Sequence, residues 1–149
     1  MAEWTARDFS VAEAAALAGL RRGTLDAWVH RIREAEILFS ERRGDRRWFS
    51  PQDICILRVG YELERAGRNW LTAIGQAFEH LQQQPPDNAV LVVDVMSVSS
   101  ASGRIISARD VECLAVDKSK ILVPIGTISA DIIARCAEIY GGANVAVSN

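Results

Sequence analysis

Residues 9–49 read FSVAEAAALAGLRRGTLDAWVHRIREAEILFSERRGDRRWF, and the local patterns in this segment predict most of the secondary structure in the first half of the chain. Ser10 followed three residues later by Glu13 is the pattern of a capping box, which predicts the start of a first helix. Gly19 tolerates the positive φ that a tight turn between two helices requires. The stretch therefore predicts a slim, alanine-rich helix, a turn and a second helix.

The second helix is predicted at about residues 22–33. Its apolar side chains recur at helical spacing and form an inward face: Leu25, Trp28, Val29 and Ile32. The polar side chains left for the outside are Arg21, Arg22, Thr24, Asp26 and Arg31. Taken alone, this helix pair is equally typical of an αα-hairpin in a helical bundle, with its arginines merely solvated.

A short arginine-rich hairpin is predicted after the second helix. Residues 37–39 are interpreted as one strand, Trp48 and Phe49 as the end of another, and residues 43–45 as the turn between them. Four arginines crowd the tip of this hairpin: Arg42, Arg43, Arg46 and Arg47. Because like charges at this density repel one another, a polyanionic partner explains them better than solubility does. We therefore expect the hairpin to contact phosphates.

Two more helices complete the first half. Residues 50–53, Ser-Pro-Gln-Asp, are a strong helix start, which predicts a third helix from residue 51 to about residue 66. Gly67 ends it, and Asn69 caps a fourth, amphipathic helix. The side chains expected to face the core from the third helix are Ile54, Leu57, Tyr61 and Leu63, and from the fourth Trp70, Leu71, Ile74, Phe78 and Leu81.

This order of elements resembles the DNA-binding domain of the MerR family of winged-helix regulators. The resemblance is carried by residues 9–25, by the exit of the hairpin at residues 46–50 and by residues 54–67, and it covers about residues 8–82. It implies that the second helix enters the major groove of DNA and that the hairpin acts as a wing on the flanking backbone. The DNA-binding residues expected on this basis are Arg21, Arg22, Thr24, Arg31, Arg42, Arg43, Arg46 and Arg47.

The chain departs from the MerR pattern in two places. Asp26, Ala27 and Trp28 stand where the family usually has an arginine and an aromatic pair, and Asp26 cannot contact a phosphate favourably. The family's long C-terminal dimerisation helix is not expected in this chain. Both departures put the family's dimer geometry and its DNA-distorting activation in doubt.

A polar, proline-bearing segment divides the chain. We predict a DNA-binding domain at residues 1–82, a linker at residues 83–88 and a small α+β domain at residues 89–149. Residues 1–82 hold twelve arginines and twelve acids, so DNA affinity must come from local asymmetry. Residues 21–47 hold eight arginines against five acids, which predicts moderate affinity per protomer and cooperation between protomers.

The second half has shorter, mixed elements. Strands are expected at residues 89–96, 104–107, 111–116 and 121–128, followed by a helix at residues 130–140 that Ser129 caps and two glycines, Gly141 and Gly142, stop. A unit of about 60 residues is marginal in stability by itself. We therefore expect a homo-oligomer held through residues 89–142. A ligand-sensing pocket lined by residues 97–103 is the alternative.

The sequence contains few patterns that are typical of catalysis or metal binding. No paired carboxylates, catalytic triad or metal-binding spacing is found, so we expect no enzyme activity and no cofactor or metal. The three cysteines, Cys55, Cys113 and Cys136, are interpreted as buried thiols; the MerR resemblance implies a sensor role for Cys113 with Cys136 as an alternative. No apolar run long enough for a membrane span and no signal peptide at residues 1–4 are seen, which predicts a cytoplasmic protein without membrane partners.

Together these features predict an α+β protein with a winged helix-turn-helix of four helices and a β-hairpin. The expected function is sequence-specific transcriptional regulation on double-stranded DNA, of bacterial or phage origin. An excisionase-like or architectural accessory factor in recombination is the alternative.

Overall fold

The structure is a computed structural model that describes residues 3–34, 40–96 and 103–147. Within these residues helices are combined with two small antiparallel sheets, which confirms the predicted α+β class. The helices are α1 (Val11–Ala18), α2 (Arg22–Glu34), α3 (Pro51–Arg65), α4 (Trp70–His80) and α5 (Ile125–Val147), with a short 3-10 helix at Ala108–Cys113. The strands are β1 (Phe9–Ser10), β2 (Glu41–Arg43), β3 (Arg46–Phe49), β4 (Ala89–Asp94), β5 (Arg104–Ser107) and β6 (Lys120–Val123).

The chain forms two compact units. The first consists of Met1–Cys55 together with Asp131–Asn149, and the second of Ile56–Ala130. This grouping differs from the bounds of 1–82 and 89–149 expected from the sequence. Compactness is not the same property as independent folding, so those domain bounds stay a prediction.

The first unit begins with the predicted capping box. The backbone N–H of Glu13 donates to the hydroxyl of Ser10 at 3.2 Å, and the N–H of Ser10 donates to the carboxylate of Glu13 at 2.9 Å. Gly19 ends α1 with φ at 70°, in the left-handed region that favours glycine. The predicted helix, turn and helix are therefore confirmed, and Leu25, Trp28 and Ile32 of α2 are buried as expected.

The hairpin belongs to a three-stranded sheet with the order β1-β3-β2. Phe9 of β1 pairs with Phe49 of β3, and both rings are almost completely buried. The sequence predicted the hairpin but not β1, which has two residues and depends on a partner forty positions away. The strand expected at residues 37–39 lies outside the described residues.

The N-terminus of α3 is fixed by a second capping box. The N–H of Asp53 donates to the hydroxyl of Ser50 at 3.0 Å, and the carboxylate of Asp53 accepts from the N–H of Ser50 at 2.8 Å. Arg7 donates to the same carboxylate oxygen at 3.0 Å. The predicted helix start at residues 50–53 is thus confirmed, with a buried acid at its third position.

The C-terminal part of α5 contributes to the first unit. The hydroxyl of Tyr140 donates to the carboxylate of Asp8, and its ring meets that of Phe9 edge to face at 5.9 Å between centroids. Arg135 donates to the carbonyl of Leu17 at 3.5 Å, near the C-terminus of α1. With 23 residues, α5 is longer than the helix expected at residues 130–140.

The second unit contains a three-stranded antiparallel sheet with the order β5-β4-β6. Val92 of the central strand pairs with Arg104 of β5 on one side and with Leu122 of β6 on the other. The five apolar residues of β4, the central strand, are all buried. The buried Arg68 donates to the carbonyls of Asp94 and Val95, at 2.5 and 3.3 Å, and so fixes the end of β4.

The burial of α4 differs from the prediction. Asn69 caps the helix as expected, and Ile74 and Leu81 are buried, but Leu71 and Phe78 are 49% and 36% exposed. The buried face of α4 instead includes its small residues, with Ala73 and Ala77 at 0% exposure. The reason is a close approach to α3, where a Cβ placed on Gly60 would lie 2.6 Å from the Cδ1 of Ile74.

Four further predictions for the second half are wrong. The strand expected at residues 111–116 is replaced by the 3-10 helix and a loop, and the strand expected at residues 121–128 ends at Val123. Pro124 lacks the N–H that would continue the ladder, and α5 begins directly after it. Ser129 is therefore buried inside α5 rather than capping it, and Gly141 and Gly142 do not stop the helix.

Gly126 in the first turn of α5 permits a tight contact. A Cβ at this position would lie 2.5 Å from the carbonyl oxygen of Asp87 and 2.6 Å from the amide nitrogen of Ala89. These are main-chain atoms that cannot rotate away. Glycine is therefore required for α5 to approach the turn that precedes β4.

Candidate nucleic-acid interface

One face of α2 is exposed and combines small residues with charged ones. Leu25, Trp28 and Ile32 hold the opposite face in the core of the first unit. Among residues 22–32 of the helix, the exposed ones are Arg22, Gly23, Asp26, Ala27, His30 and Arg31. A Cβ on Gly23 would meet nothing within 4 Å, so the backbone of α2 is open to close approach from outside the first unit.

The hairpin places arginines directly opposite one another. In the antiparallel register of β2 and β3, Arg42 faces Arg47 and Arg43 faces Arg46. The strands are joined by Gly44 and Asp45, and Gly44 has φ at 62°, which favours glycine in this tight connection. The predicted arginine-rich tip is therefore present, with two facing pairs of guanidinium groups.

The four hairpin arginines differ in how they are held. The Nε of Arg42 donates to the carbonyl of Gly44 at 3.1 Å, and Arg47 donates to the hydroxyl of Ser40 at 2.8 Å. Arg43 donates to Glu41 at 3.1 Å and lies over the ring of Trp48, with 5.9 Å from its Cζ to the ring centroid. The side chain of Arg46 makes no hydrogen bond or ion pair within the described part of the chain. Arg46 is thus the hairpin arginine that is readiest to bind an external anion.

An open groove of about 390 Å³ lies between α2 and the hairpin. Four of the eight predicted DNA-binding residues line it: Arg22 from α2 and Arg42, Arg46 and Arg47 from the hairpin. Two carboxylates, Asp26 and Asp45, line it as well. A second open pocket of about 350 Å³ shares Arg22, Asp45, Arg46 and Arg47 and reaches Ser10 at the start of α1. Guanidinium groups from two separate elements therefore converge on one surface.

The other four predicted residues do not line this groove. Arg21 precedes α2 and is exposed, as are Arg31 and Arg43, whereas Thr24 is half-buried. The polar groove residues that the prediction left out are Asp26, Asp45 and His30. The signal for Asp26 and His30 was their spacing from Arg22 at four-residue intervals, which places three polar side chains on one face of a helix.

The pKa shifts in the hairpin come mainly from the contact between Arg43 and Glu41. The hydrogen bond from Arg43 lowers the pKa of Glu41 below its usual value, and the same contact raises the pKa of Arg43. Both side chains are exposed, so this pair adds little to stability. Its effect is to partly neutralise Arg43 and leave the groove-lining arginines as the positive centre of this surface.

The cysteines and histidines do not assemble a metal site in the structure as described. No group of three or more histidine, cysteine, aspartate or glutamate side chains with metal-binding geometry occurs among the described residues. Cys55 and Cys136 are buried as expected, and burial raises the pKa of Cys136 to about 11. The expectation that Cys113 is buried is wrong, because it ends the exposed 3-10 helix.

None of the helices described in the structure is both long enough and apolar enough to cross a membrane.

In comparisons with known proteins, no protein-family model and no curated protein matches this chain. The case for its function therefore depends on the residues and geometry described above.

Proposed function

We propose that this protein is a sequence-specific DNA-binding transcriptional regulator of bacterial or phage type, built around a MerR-like winged helix-turn-helix. The observation that carries the proposal is the convergence of Arg22 from α2 with Arg42, Arg46 and Arg47 from the hairpin on one open groove. In this proposal α2 enters the major groove of double-stranded DNA, and the hairpin acts as the wing on the flanking backbone.

The chemistry of the groove supports an anionic partner. Guanidinium groups bind phosphates and guanine edges through two parallel N–H donors. The guanidinium groups of Arg22 and Arg46 have no hydrogen-bond or ion-pair partner among the described residues, so binding to DNA breaks no side-chain interaction that they already make. Placing phosphates beside the facing arginine pairs also relieves the repulsion between them.

The exposed face of α2 also suits close approach to DNA. Gly23 and Ala27 have little or no side chain, and both are exposed between the charged residues of this helix. The helix backbone can therefore come near the floor of a major groove, with Arg22, Asp26 and Arg31 reaching base edges or phosphates from its sides.

We further propose that the protein acts as a dimer or higher oligomer, assembled through residues 89–142. The formal net charge of the chain is −2, so a single wing gives only modest affinity for DNA. The second unit exposes large apolar side chains within this range: Val95, Met96, Ile105, Val116 and Leu122. Of these, Ile105 and Leu122 lie on the edge strands β5 and β6, and exposed apolar residues on edge strands are typical of surfaces that pair with another chain.

Recovery of bound genomic DNA tests the proposal. The purified protein is mixed with fragmented DNA of its source organism at physiological salt, and the retained fragments are sequenced. We expect enriched sites that contain repeated or palindromic half-sites upstream of genes, as for a regulator acting in the cytoplasm. Enrichment at recombination attachment sites would favour an accessory factor instead, and retention without any enriched sequence would contradict sequence-specific binding.

A further inference from the structure

Asp26 is a carboxylate in an otherwise cationic groove. It lies on the exposed face of α2, one helical turn after Arg22, and lines the same groove as Arg42, Arg46 and Arg47. Despite these neighbours, the carboxylate of Asp26 forms no ion pair or hydrogen bond with any described residue. Its role is therefore not to hold the arginines in place.

The position of Asp26 also conflicts with simple phosphate binding. A carboxylate repels phosphates, so at this place it weakens binding to DNA of any sequence. In the major groove the same group finds a favourable partner only where a base presents an amino donor. Cytosine presents the N4 amino group without an adjacent acceptor nitrogen. Adenine presents its N6 amino group beside N7, whose lone pair repels a carboxylate.

We propose that Asp26 is a specificity-determining residue that accepts a hydrogen bond from the N4 amino group of one cytosine in each half-site. This inference rests on the proposed function, because it requires α2 to lie in the major groove. Arg22 lies four residues earlier, about 6 Å along the helix axis, which is roughly two base-pair steps. Arg22 can only donate hydrogen bonds, whereas the carboxylate of Asp26 accepts them, and both lie on the same face of α2. In this proposal Arg22 therefore contacts a guanine close to that cytosine.

The proposal predicts that one substitution of Asp26 changes the preferred base at one position of the half-site and that another removes the preference. Asparagine at this position has both an acceptor and a donor, and it pairs with N6 and N7 of adenine. Asp26→Asn should therefore move the preference at one position of the half-site from cytosine to adenine. Asp26→Ala should remove the preference at that position, lowering discrimination roughly tenfold.

Asp45→Asn is a matched control. Asp45 lines the same groove but stands in the connection between β2 and β3 rather than on α2. Its replacement removes one negative charge from the groove, as Asp26→Asn does. It should raise affinity for all sequences slightly without changing the preferred base at any position.

Selection from a pool of random double-stranded oligonucleotides tests the inference with the full-length protein and the three variants. A single cytosine position that becomes adenine in Asp26→Asn, and loses preference in Asp26→Ala, is the expected result. A wild-type motif that is unchanged in both Asp26 variants would overturn the role of Asp26 while leaving DNA binding intact. A wild-type protein that selects no motif would instead overturn the proposed function and this inference with it.

Discussion

Arg42 of β2 lies directly opposite Arg47 of β3, and Arg43 faces Arg46 one step closer to the turn. Like charges directly opposite each other destabilise an antiparallel pair of strands. The hairpin therefore carries an internal repulsion that an external polyanion relieves. This relationship supports phosphate binding more strongly than the number of arginines does, because it concerns where they are placed.

Replacement of Arg42 and Arg46 by alanine tests the wing. The double variant removes one arginine from each facing pair, so we expect the fold to be retained and affinity to fall for all DNA sequences. The slope of log K against log salt should decrease by roughly 1 for each phosphate that the variant no longer binds. Fluorescence anisotropy with a labelled duplex at several salt concentrations measures both quantities.

The control for the wing variant also removes two positive charges, but from a different part of the surface. Arg65 and Arg109 are exposed and lie outside the groove, so Arg65→Ala with Arg109→Ala should leave the salt slope close to that of the wild type. Equal decreases of affinity in the two double variants would argue against a role for the wing. Arg47 is less suitable for this test because it donates to Ser40 within the hairpin.

Asp53 should make stability depend on pH. Burial raises the pKa of Asp53 above the ordinary value of an aspartate, and the hydrogen bonds from Ser50 and Arg7 only partly offset this rise. A raised folded-state pKa means that the folded protein binds the proton more tightly than the unfolded chain. The resulting stabilisation is fully present below the unfolded pKa and is lost as pH rises through the folded pKa.

The Asp53→Asn variant is the reference for this measurement, because an asparagine side chain does not titrate. Urea unfolding of the wild type and the variant from pH 3 to pH 7 should show the wild type losing stability relative to Asp53→Asn as pH rises. A wild type that instead gains stability relative to the variant as pH rises would mean that the ion pair with Arg7 outweighs burial. Asp53→Ala should be about 1–3 kcal/mol less stable than Asp53→Asn, since the buried N–H of Ser50 then loses its acceptor.

Gly126→Ala should destabilise the protein by overpacking. The added methyl group would meet the main chain of Asp87 and Ala89, so the expected loss is about 1–3 kcal/mol or more. Gly142→Ala in the same helix is the matched control, because a Cβ there meets nothing within 4 Å. That variant should gain about 0.5–1 kcal/mol from the helix propensity of alanine. Thermal and urea unfolding compare the two, and equal effects would contradict the tight contact at Gly126.

Glutamate at Ile105 or Leu122 should weaken self-association. These residues are 43% and 44% exposed on the edge strands β5 and β6, and a charge there opposes burial against another copy. Light scattering coupled to size-exclusion chromatography measures the mass of each variant. Leu71→Glu is the control, since Leu71 is equally apolar and 49% exposed but lies outside residues 89–142. Dissociation by Leu71→Glu alone would move the proposed interface to α4.

Thiol labelling should separate the three cysteines. Cys113 is exposed and should react rapidly with a thiol reagent at neutral pH, whereas Cys55 and Cys136 are buried. Because the pKa of Cys136 is raised to about 11, its thiolate is scarce at pH 7 even when the reagent reaches it. One equivalent should react in the folded protein and three after unfolding in denaturant. Fast labelling of Cys136, identified by peptide mapping, would contradict the burial of this side chain.

Local signals in the sequence predicted the first half well. The capping box at Ser10, the helix start at residues 50–53, the turn at Gly19 and the cap at Asn69 all depend on residues within a few positions of one another. The hydrogen bonds that stabilise these caps and turns join residues that are close in sequence, so they can be predicted without knowledge of the fold. Strand β1 could not be predicted, because Phe9 becomes a strand residue only through its distant partner Phe49.

The start of α5 shows why the second half was harder to predict. The β-branched residues around Gly126 favour a strand, and Ser129 is typical of a helix cap. The helix forms there because its first turn packs closely on the backbone of residues 86–89, a contact that only glycine permits. Tertiary packing thus overrode the local preference.

The candidate site was predicted only in part, again because tertiary packing contributes to it. The arginines were evident from composition and position, but which of them meet depends on how α2 is rotated about its axis. Burial of Leu25, Trp28 and Ile32 turns Arg22, Asp26 and His30 toward the groove and leaves Arg21 and Arg31 outside it. The sequence indicated the polar residues of α2, and the packing of its apolar face selected among them.

The first compact unit is assembled from both ends of the described chain, since residues 131–147 belong with the helix-turn-helix and hairpin. A fragment that ends at residue 82 would contain every residue proposed to touch DNA, yet it would lack Tyr140 beside Phe9 and Arg135 at the end of α1. In evolutionary terms, the proposed DNA-binding part is not a portable cassette. Exchange of the segment that encodes residues 1–82 alone would separate it from α5, so these two parts of the chain are expected to change together.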